Sequence, residues 1–339
     1  MNPKTKPTIK DIAEAAGVSP MTVSRVLNNK GGSKETRERI LQIADEIGYV
    51  ANPMARGLRS RSQTIGIMIG DPRRPFVGEL LHQLSLASDR FGYGLMLYAQ
   101  GTEEFRTRHE HYAALLTNGL NDGVIFNTLV DHTAFLPYLK QNNIPYVLLD
   151  YSDTDEPSVV STDHRGMVDA TRHLLALGHK KIGFITGPMN NRHANERLAG
   201  FRASLGEVGI PVDESLILEG DFSQISGFRA GRKLLAGETV PTAIIASNDG
   251  MAFGVMEALR ERGLEIGTDV SVIGFDDIPM AAQVEPALTT VHQDVSYIAK
   301  EAVELLTNLI EGRSTTTLKR QVPTNLIIRQ STNRPRPGA

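Results

Sequence analysis

Polar residues in the body of this chain follow short apolar runs, where their side chains could bind a small molecule. Runs such as TIGIMIG and DGVIF are rich in Ile, Leu and Val and are typical of buried strands. In parallel sheets a ligand binds beyond the carboxyl ends of the strands, so the residues near those ends are the candidates. They are Asp71, Asn127, Asp150, Arg197, Asp221, Phe222, Asn248 and Asp276.

The chemistry of this set is hydrogen bonding. Carboxylates, amides and arginine form bidentate hydrogen bonds with vicinal hydroxyls, and an aromatic face covers the apolar side of a pyranose ring. The set therefore predicts a sugar-like ligand. For Asp71 or Asp150 taken alone, strand-end capping or turn chemistry is an equally good interpretation.

A second kind of chemistry, DNA recognition, is indicated by residues 8 to 27, TIKDIAEAAGVSPMTVSRVL. They fit two short helices and a tight turn, because Thr8 and Asp11 resemble a capping box and Ser19 with Pro20 begins the second helix. Apolar residues line one face of each helix. The other face of the second helix carries residues able to approach base edges and phosphates in the major groove: Met21, Thr22, Ser24, Arg25 and Asn28. A surface helical hairpin is the alternative.

Motifs of enzyme chemistry are missing from the sequence. We find no GxGxxG after a strand, no Gly-rich loop ending in GK[ST] and no GxSxG elbow. His109 and His111 are two residues apart on a predicted helix, which is poor geometry for a metal. His193 could pair with Asp163, but no nucleophile accompanies them. We therefore expect neither catalysis, nor a metal, nor a cofactor.

Charge separates a small basic head from a larger acidic body. Residues 1 to 62 hold 11 Lys and Arg against 6 Asp and Glu, a net charge of +5, whereas the remaining 277 residues carry −8. A basic head is suited to a polyanion such as DNA. Two helices cannot enclose a core, and residues 33 to 47 supply a third helix with Ile40, Ile43, Ala44 and Ile47 at helical spacing.

A short basic segment, NPMARGLRSR at residues 52 to 61, follows the head. Asn52 and the next proline can begin a helix, but one this short is marginal alone and must fold against something. Leu58 lies among Arg56, Arg59 and Arg61, and an apolar wedge amid arginines is suited to kinking DNA from the minor groove. A flexible basic linker is the alternative.

The body alternates strands and helices, which predicts an α/β fold with parallel sheets covered on both faces. Because the pattern repeats, we expect two doubly wound sheets. The last long helix, at residues 296 to 311, comes too late in the chain to belong to one sheet only, so the chain should cross between lobes more than once. The predicted domains are a helix-turn-helix head (1–50), a hinge (51–62), a core (63–330; one lobe 63–160 with 292–322, the other 161–291 with 323–330) and a tail (331–339).

From Thr8 to about Ile328, the sequence resembles the bacterial lactose/galactose repressor family. TIKDIAEAAGVSPMTVSRVLNN and NPMARGL match family motifs in order and spacing, and the core follows in register. The resemblance implies an all-α head on a core like the periplasmic binding proteins. It also implies a dimeric repressor that binds double-stranded operator DNA and a sugar-like effector, with a leucine from each hinge helix inserted into the DNA.

The resemblance assigns individual residues in both regions. Pro20 and Met21 match the positions that most vary operator choice, Thr22, Ser24 and Arg25 match DNA contacts, and Asn52 and Ala55 match hinge contacts. In the core, Arg197, Asn248 and Asp276 match the residues that grip the effector. Positions that commonly join them are Phe76, Asn127, Asp150 and Phe222.

Two departures from the family pattern leave specificity open. Proline at position 20 has no side-chain donor, so that site would recognise DNA by shape or apolar contact. The segment after the first strand is uncharged in the family but here contains Arg73 and Arg74. These arginines are either surface charges, which we favour, or selectors of an acidic or phosphorylated sugar.

Composition bears on the compartment and the partners. The chain has no cysteine, which excludes disulfides, and residues 1 to 7 do not resemble an export signal. Together with the lack of a long apolar run, this predicts a cytoplasmic protein that does not enter membranes. A sugar-binding protein without a DNA function is the alternative, against which the basic head argues. The last nine residues have no heptad pattern, so a dimer is the expected assembly.

Overall fold

The computed structural model describes residues 7–27, 31–49, 62–99, 109–127, 133–150, 155–315 and 317–337. The chain divides into two compact units, residues 1–62 and 63–339, which we call the head and the core. The described part of the head contains three helices, α1 (Ile9–Ala16), α2 (Pro20–Leu27) and α3 (Lys34–Glu46).

Local capping fixes where the head helices begin and end. Thr8 accepts a hydrogen bond from the Asp11 amide, and the Asp11 carboxylate accepts from the Thr8 amide at 2.6 Å, which completes the predicted capping box. Gly17 ends α1 in the left-handed conformation, with φ of 64°, where a side chain would be strained. The Ser19 hydroxyl accepts from the Thr22 amide at 3.1 Å and caps α2.

The three helices enclose a small apolar core. Ile12, Val23 and Ile40, one from each helix, are fully buried and lie at its centre. The Arg39 guanidinium donates to the Ala16 carbonyl and so satisfies the carboxyl end of α1. The third helix predicted from the apolar spacing is therefore the element that completes this core.

The core unit alternates strands and helices as predicted. Its described elements, in chain order, are β1 (Thr64–Ile69), α4 (Pro75–Arg90), β2 (Gly94–Ala99), α5 (His109–Thr117), β3 (Gly123–Phe126), α6 (Leu136–Gln141), β4 (Tyr146–Leu149), β5 (Ser158–Ser161), α7 (Asp163–Leu177), β6 (Ile182–Thr186), α8 (Arg192–Glu207), β7 (Ile217–Glu219), α9 (Gln224–Ala236), β8 (Ala243–Ala246), α10 (Asp249–Glu261), β9 (Ser271–Asp276), β10 (Thr289–Gln293), α11 (Val295–Glu311), β11 (Lys319–Val322) and β12 (Thr324–Ile327).

These strands form two sheets, each of which defines a lobe. Among the described residues the first sheet has six strands in the order β11-β5-β4-β3-β1-β2, and the second has six in the order β12-β10-β9-β8-β6-β7. All neighbours pair in parallel except β12, which is antiparallel to β10. The α/β class with two doubly wound sheets is confirmed. The domain boundaries drawn from the sequence stay predictions.

The chain crosses between the lobes at three places. It passes from β5 to the second lobe, returns between β10 and α11, and crosses again between β11 and β12. Thr162 and Thr324, in the first and last crossings, bond directly: the Thr324 amide donates to the Thr162 hydroxyl and the Thr324 hydroxyl donates to the Thr162 carbonyl, both at 3.0 Å. These hydrogen bonds therefore hold the first and last crossings side by side.

The segment after β12 differs from the separate tail predicted from the sequence. Ser331 is fully buried, and its hydroxyl accepts from the Thr289 amide and donates to the Val272 carbonyl. Asn333 bonds to Ser271 and, through its carbonyl, to His179. The partners of these residues lie far away in sequence, beyond the reach of a local pattern, so this packing could not be predicted, and the boundary of the tail stays a prediction.

Within the described ranges, no helix is long and apolar enough to span a bilayer.

Candidate functional site

A cavity of about 820 Å³ lies between the two lobes of the core, a size typical of small-molecule sites. From the first lobe it is lined by the turn after β1, the start of α4 and the end of β3. The second lobe contributes the start of α8, the turns before α9 and α10, and the segment after β9. The lining residues include Asp71, Arg73, Arg74, Pro75, Phe76, Val77, Asn127, His193, Arg197, Phe222, Ser223, Asn248, Phe253, Asp276, Ile278 and Gln293.

Of the nine effector candidates named from the sequence, seven line this cavity, and Asp150 and Asp221 do not. Asp150 lies behind the wall. Its side chain is buried and accepts from the Ser161 amide at 3.0 Å and the Ser161 hydroxyl at 2.9 Å. It approaches the cavity only through His193, whose Nε2 is 3.8 Å from its Oδ2. The strand-end interpretation therefore describes Asp150 best.

Arg197 is the most constrained cation of the cavity. It is 3% exposed, and its guanidinium carbon lies 3.6 Å from the centre of the Phe275 ring. Its Nε donates to Asp163 at 3.0 Å and its Nη1 donates to the Ser247 carbonyl. Asp276 is 3.7 Å from the same Nη1. These contacts fix the planar guanidinium at the wall, in position to bind vicinal oxygens.

Beside Arg197, the buried Asp163 forms an ion pair with His193, which is partly exposed and lines the cavity. Nδ1 of His193 is 2.7 Å from the Asp163 carboxylate. Burial alone would raise the pKa of Asp163, but the charges of Arg197 and His193 hold it far below its usual range. Burial would lower the pKa of His193, but Asp163 and Asp150 raise it. The group thus favours an ionised carboxylate between two cations.

The pKa values of Asp276 and Asp249 are raised, in contrast to that of Asp163. Burial raises the pKa of Asp276 to about 7, although Arg197 partly opposes the shift. The Gln293 side-chain amide donates to Asp276 at 2.8 Å. Asp249 accepts from the Ile278 amide at 2.8 Å and from the Thr290 hydroxyl, and burial together with the Asp276 charge raises its pKa. Near neutral pH, Asp276 can therefore exchange a proton.

A pH dependence of stability follows from Asp276. Its folded pKa, about 7, lies above the ordinary 3.8, so between these values the folded protein retains a proton that the unfolded chain releases. The protonated carboxyl group therefore makes its full contribution to the free energy of unfolding below pH 3.8, and this contribution is lost as the pH rises towards 7. As the pH rises through this window, we expect the free energy of unfolding of Asp276→Asn to increase relative to that of the wild type by about 1.4 kcal/mol per pH unit.

Urea unfolding at pH 5, 6 and 7 measures this difference. Asp89→Asn, at an exposed position of α4, is the matched control and should track the wild type at all three values. A stability difference between Asp276→Asn and the wild type that does not change with pH would contradict the elevated pKa.

Asn248 and Phe222 together form part of the cavity wall that the second lobe contributes. The Asn248 side-chain oxygen Oδ1 accepts from the Met251 amide at 2.9 Å and caps α10, while its side-chain nitrogen Nδ2 donates to the Phe222 backbone carbonyl at 3.1 Å. Phe222 has a positive φ of 67° and covers Gly187, where an added Cβ would lie 2.0 Å from the ring. Gly187 therefore allows the aromatic side chain to pack against the cavity wall.

The arginines that depart from the family pattern occupy different environments. The Arg73 side chain is 86% exposed and bonds to Asp71 through Nε at 2.9 Å and Nη2 at 2.7 Å. These bonds lower the pKa of Asp71 to about 2. Arg74 is half-buried, with its guanidinium carbon 6.0 Å from the centre of the Phe222 ring. Both line the cavity, so the preference for surface charges fits Arg73 in part and fails for Arg74.

Apart from Arg73 and Arg74, the polar lining residues that were not predicted to bind an effector are His193, Ser223, Gln224, Gln283 and Gln293. His193 precedes Arg197 by four residues, so the two share a face of α8, and that spacing could have found it. Gln293 ends β10, where the same strand-end rule applies. No cluster of potential metal ligands occurs among the described residues.

In the head, the residues predicted to contact DNA that the structure describes lie around α2. Pro20, Met21 and Arg25 are exposed, with Met21 67% exposed, whereas Thr22 and Ser24 are half-buried. Thr8 and Ser19 are exposed and engaged in the helix caps described above. Five further predicted contacts lie outside the described residues: Asn28, Asn52, Ala55, Arg56 and Leu58.

A helix-turn-helix head on a core with two lobes and a cavity between them defines a DNA-binding regulator controlled by a small molecule. The family model described as bacterial regulatory proteins of the lacI family matches residues 8–52, and that described as a periplasmic binding protein-like domain matches residues 171–332. The chain belongs to the lacI family of bacterial transcriptional regulators.

Relatives match over almost the whole chain. The HTH-type transcriptional regulator DegA of Bacillus subtilis is 35% identical over 97% of this chain and 98% of its own length. The catabolite control protein A of Priestia megaterium is 34% identical over 96% of this chain and 99% of its own. These relatives are regulators, not enzymes.

Solved structures agree with the fold. The lac repressor dimer bound to operator and the anti-inducer ONPF superposes with a TM-score of 0.86 at 30% identity, covering 97% of this chain and all of that one. A complex of the regulator CelR with cellobiose gives a TM-score of 0.74 at 29% identity, with coverage of 96% and 100%.

Proposed function

We propose that this protein is a dimeric repressor of carbohydrate-utilisation genes whose affinity for operator DNA is controlled by a sugar-like effector in the cavity. The observation that carries this proposal is the cavity itself, where Arg197, Asn248 and Asp276 of one lobe meet Asn127 and Phe76 across the cleft. Arginine, amide and carboxyl groups together supply donors and acceptors for neighbouring hydroxyls. The protein would act in the cytoplasm, where operator DNA is found.

Similar proteins support each part of the proposal. CelR binds cellobiose, a lacI-family regulator of Enterococcus faecium holds ribose, and the lac repressor dimer binds operator. A catalytic role for the cavity has little support. The Ser223 hydroxyl accepts from the Ser226 amide and caps α9, which gives this lining residue a structural role.

Control of DNA affinity requires that the effector distinguish two states of the protein. We propose that ligand binding closes the lobes about the three crossings and moves apart the two hinge segments, residues 51–62, of a dimer. A ligand shifts an equilibrium only by its differential affinity for the two states, so an inducer must bind the DNA-weak state better. Operator DNA must then weaken effector binding by the same factor.

The experiment is a calorimetric titration of effector with and without operator, after a thermal-shift screen of sugars has found the effector and selection from random DNA has found the operator. We expect operator to weaken effector binding by roughly 5- to 150-fold, the usual range of such coupling. Equal affinities would refute control by the effector, and tighter binding with operator present would make the protein a co-repressed member.

Arg25→Ala provides the internal control. Arg25 is an exposed cation on α2, and losing a base contact of this kind costs about 1–3 kcal/mol of DNA binding. At an operator concentration that saturates the wild type, the variant should show a smaller operator effect on effector affinity, while its affinity without DNA stays that of the wild type.

A further inference from the structure

Arg74 holds a special position in the cavity, and this inference rests on the effector site proposed above. It is the residue before α4, and it lines the cavity together with the first three residues of that helix. Its guanidinium carbon lies 6.0 Å from the centre of the Phe222 ring, which belongs to the other lobe. Arg74 therefore reaches across the cleft.

Arg74 is available to bind an anion, because the other two arginines of the cavity are engaged by protein groups. Arg73 is held by Asp71, and Arg197 is held by Asp163 and the Ser247 carbonyl. Among the described residues, Arg74 has no carboxylate oxygen within 4.0 Å. Its charge does lower the pKa of Asp71 and Asp221, but Asp71 is bonded to Arg73, and Asp221 accepts from the Ser223 amide at 2.8 Å.

The start of α4 adds to this positive potential. The helix has 16 residues and begins at Pro75 without a side-chain cap. The free amides and the dipole at a helix start favour an anion, and here they lie at the cavity beside a guanidinium.

Another part of the cavity lining offers different chemistry. Gln293 is 2% exposed, and its Oε1 has no hydrogen-bond partner within the described part of the chain. It lies next to Asp276, to which its nitrogen donates. An acceptor buried without a partner is costly, so a hydroxyl of the ligand would stabilise this wall. The two groups of lining residues thus differ: Arg74 with the start of α4 is suited to an anion, and Gln293 with Asp276 is suited to hydroxyls.

We infer that the effector is an anionic sugar, a sugar phosphate or sugar acid, whose charged group binds Arg74 at the start of α4 while its hydroxyls bind Arg197, Asp276 and Gln293. Phosphate and carboxylate share the chemistry that Arg74 recognises, a planar fork of donors facing two oxygens. The uncharged family pattern at this segment does not supply this cation, so the inferred specificity belongs to this chain.

Matched probes test the inference: glucose with glucose 6-phosphate and gluconate, ribose with ribose 5-phosphate, and inorganic phosphate alone. Binding is measured by calorimetry and thermal shift at constant ionic strength. We expect at least one charged sugar to bind roughly tenfold or more tightly than its neutral parent, equivalent to about 1.4 kcal/mol. Arg74→Gln should abolish that preference, so that the charged sugar binds no more tightly than its neutral parent.

Arg90→Gln is the control, because it removes the same charge from the exposed far end of the same helix. It should keep the full preference. A neutral sugar that binds as tightly as its charged form, a preference that survives Arg74→Gln, or no response to any charged probe would each overturn the inference. If neutral sugars bind and still weaken operator binding, only the anionic class fails. If no probe of either kind affects operator binding, the proposed effector control loses its support as well.

Discussion

Arg197→Ala is expected to lower the free energy of unfolding of the core by about 3–5 kcal/mol, the usual cost of breaking a buried ion pair. The guanidinium is 3% exposed and bonds to Asp163, and Asp276 lies 3.7 Å away. Its removal takes one of two cations from Asp163, which keeps only His193, and takes the nearby positive charge from Asp276. Binding of any effector at this wall should be lost as well. Urea unfolding followed by circular dichroism measures the first effect, and calorimetry measures the second.

A second substitution separates these two consequences. Asp163→Asn in the Arg197→Ala background removes the buried carboxylate that is left with one cation, His193, and should restore part of the stability, whereas effector binding should stay lost. The head is a separate compact unit, so below the lowered melting temperature both variants should bind operator without responding to effector. Unfolding of Arg197→Ala at the same urea concentration as the wild type would mean that the buried ion cluster contributes no net stability.

Gly254→Ala is expected to destabilise the second lobe by about 3 kcal/mol or more, at or beyond the upper end of the usual cost of overpacking. A Cβ at this position of α10 would lie 2.1 Å from the Gln224 carbonyl oxygen and 2.4 Å from the Phe228 amide, both in α9. In the same way, a Cβ added to Gly227 of α9 would lie 2.2 Å from the Met251 carbonyl oxygen in α10. The helices cross with backbones in contact, and backbone atoms cannot rotate away.

Gly206→Ala is the matched control for this prediction. Gly206 lies in α8 with no atom within 4 Å of an added Cβ, so alanine should stabilise the helix by up to about 1 kcal/mol. Thermal unfolding of the two variants should therefore shift in opposite directions. Equal melting temperatures would show that α9 and α10 can move apart at little cost.

Elements fixed by local chemistry could be predicted from the sequence. Thr8 and Asp11 are three residues apart, and the capping box that they form needs no distant partner. The apolar spacing of α3 and the strand-helix alternation of the core have the same local character. Most of the residues chosen by the strand-end rule line one cavity, because parallel strands bring their carboxyl ends to one edge whatever their order along the chain. Their role in effector binding stays a prediction.

Features that depend on distant partners could not be predicted. Asp150 is turned away from the cavity by hydrogen bonds from Ser161, and nothing near Asp150 in the sequence indicates that preference. Arg73 and Arg74 are adjacent in sequence, but one turns to Asp71 and the other towards Phe222, about 150 residues away in the chain. Only the folded core decides which of two such neighbours reaches the ligand.

The last crossing between the lobes affects how shortened forms of this protein would behave. The strands β11 and β12 are separated only by Pro323, yet each is the edge strand of a different sheet, and the segment after them is buried against β9. A premature stop codon before position 319 would therefore remove an edge from both lobes at once. Neither lobe corresponds to a contiguous stretch of the gene, so an exchange of lobes between relatives would require three junctions instead of one.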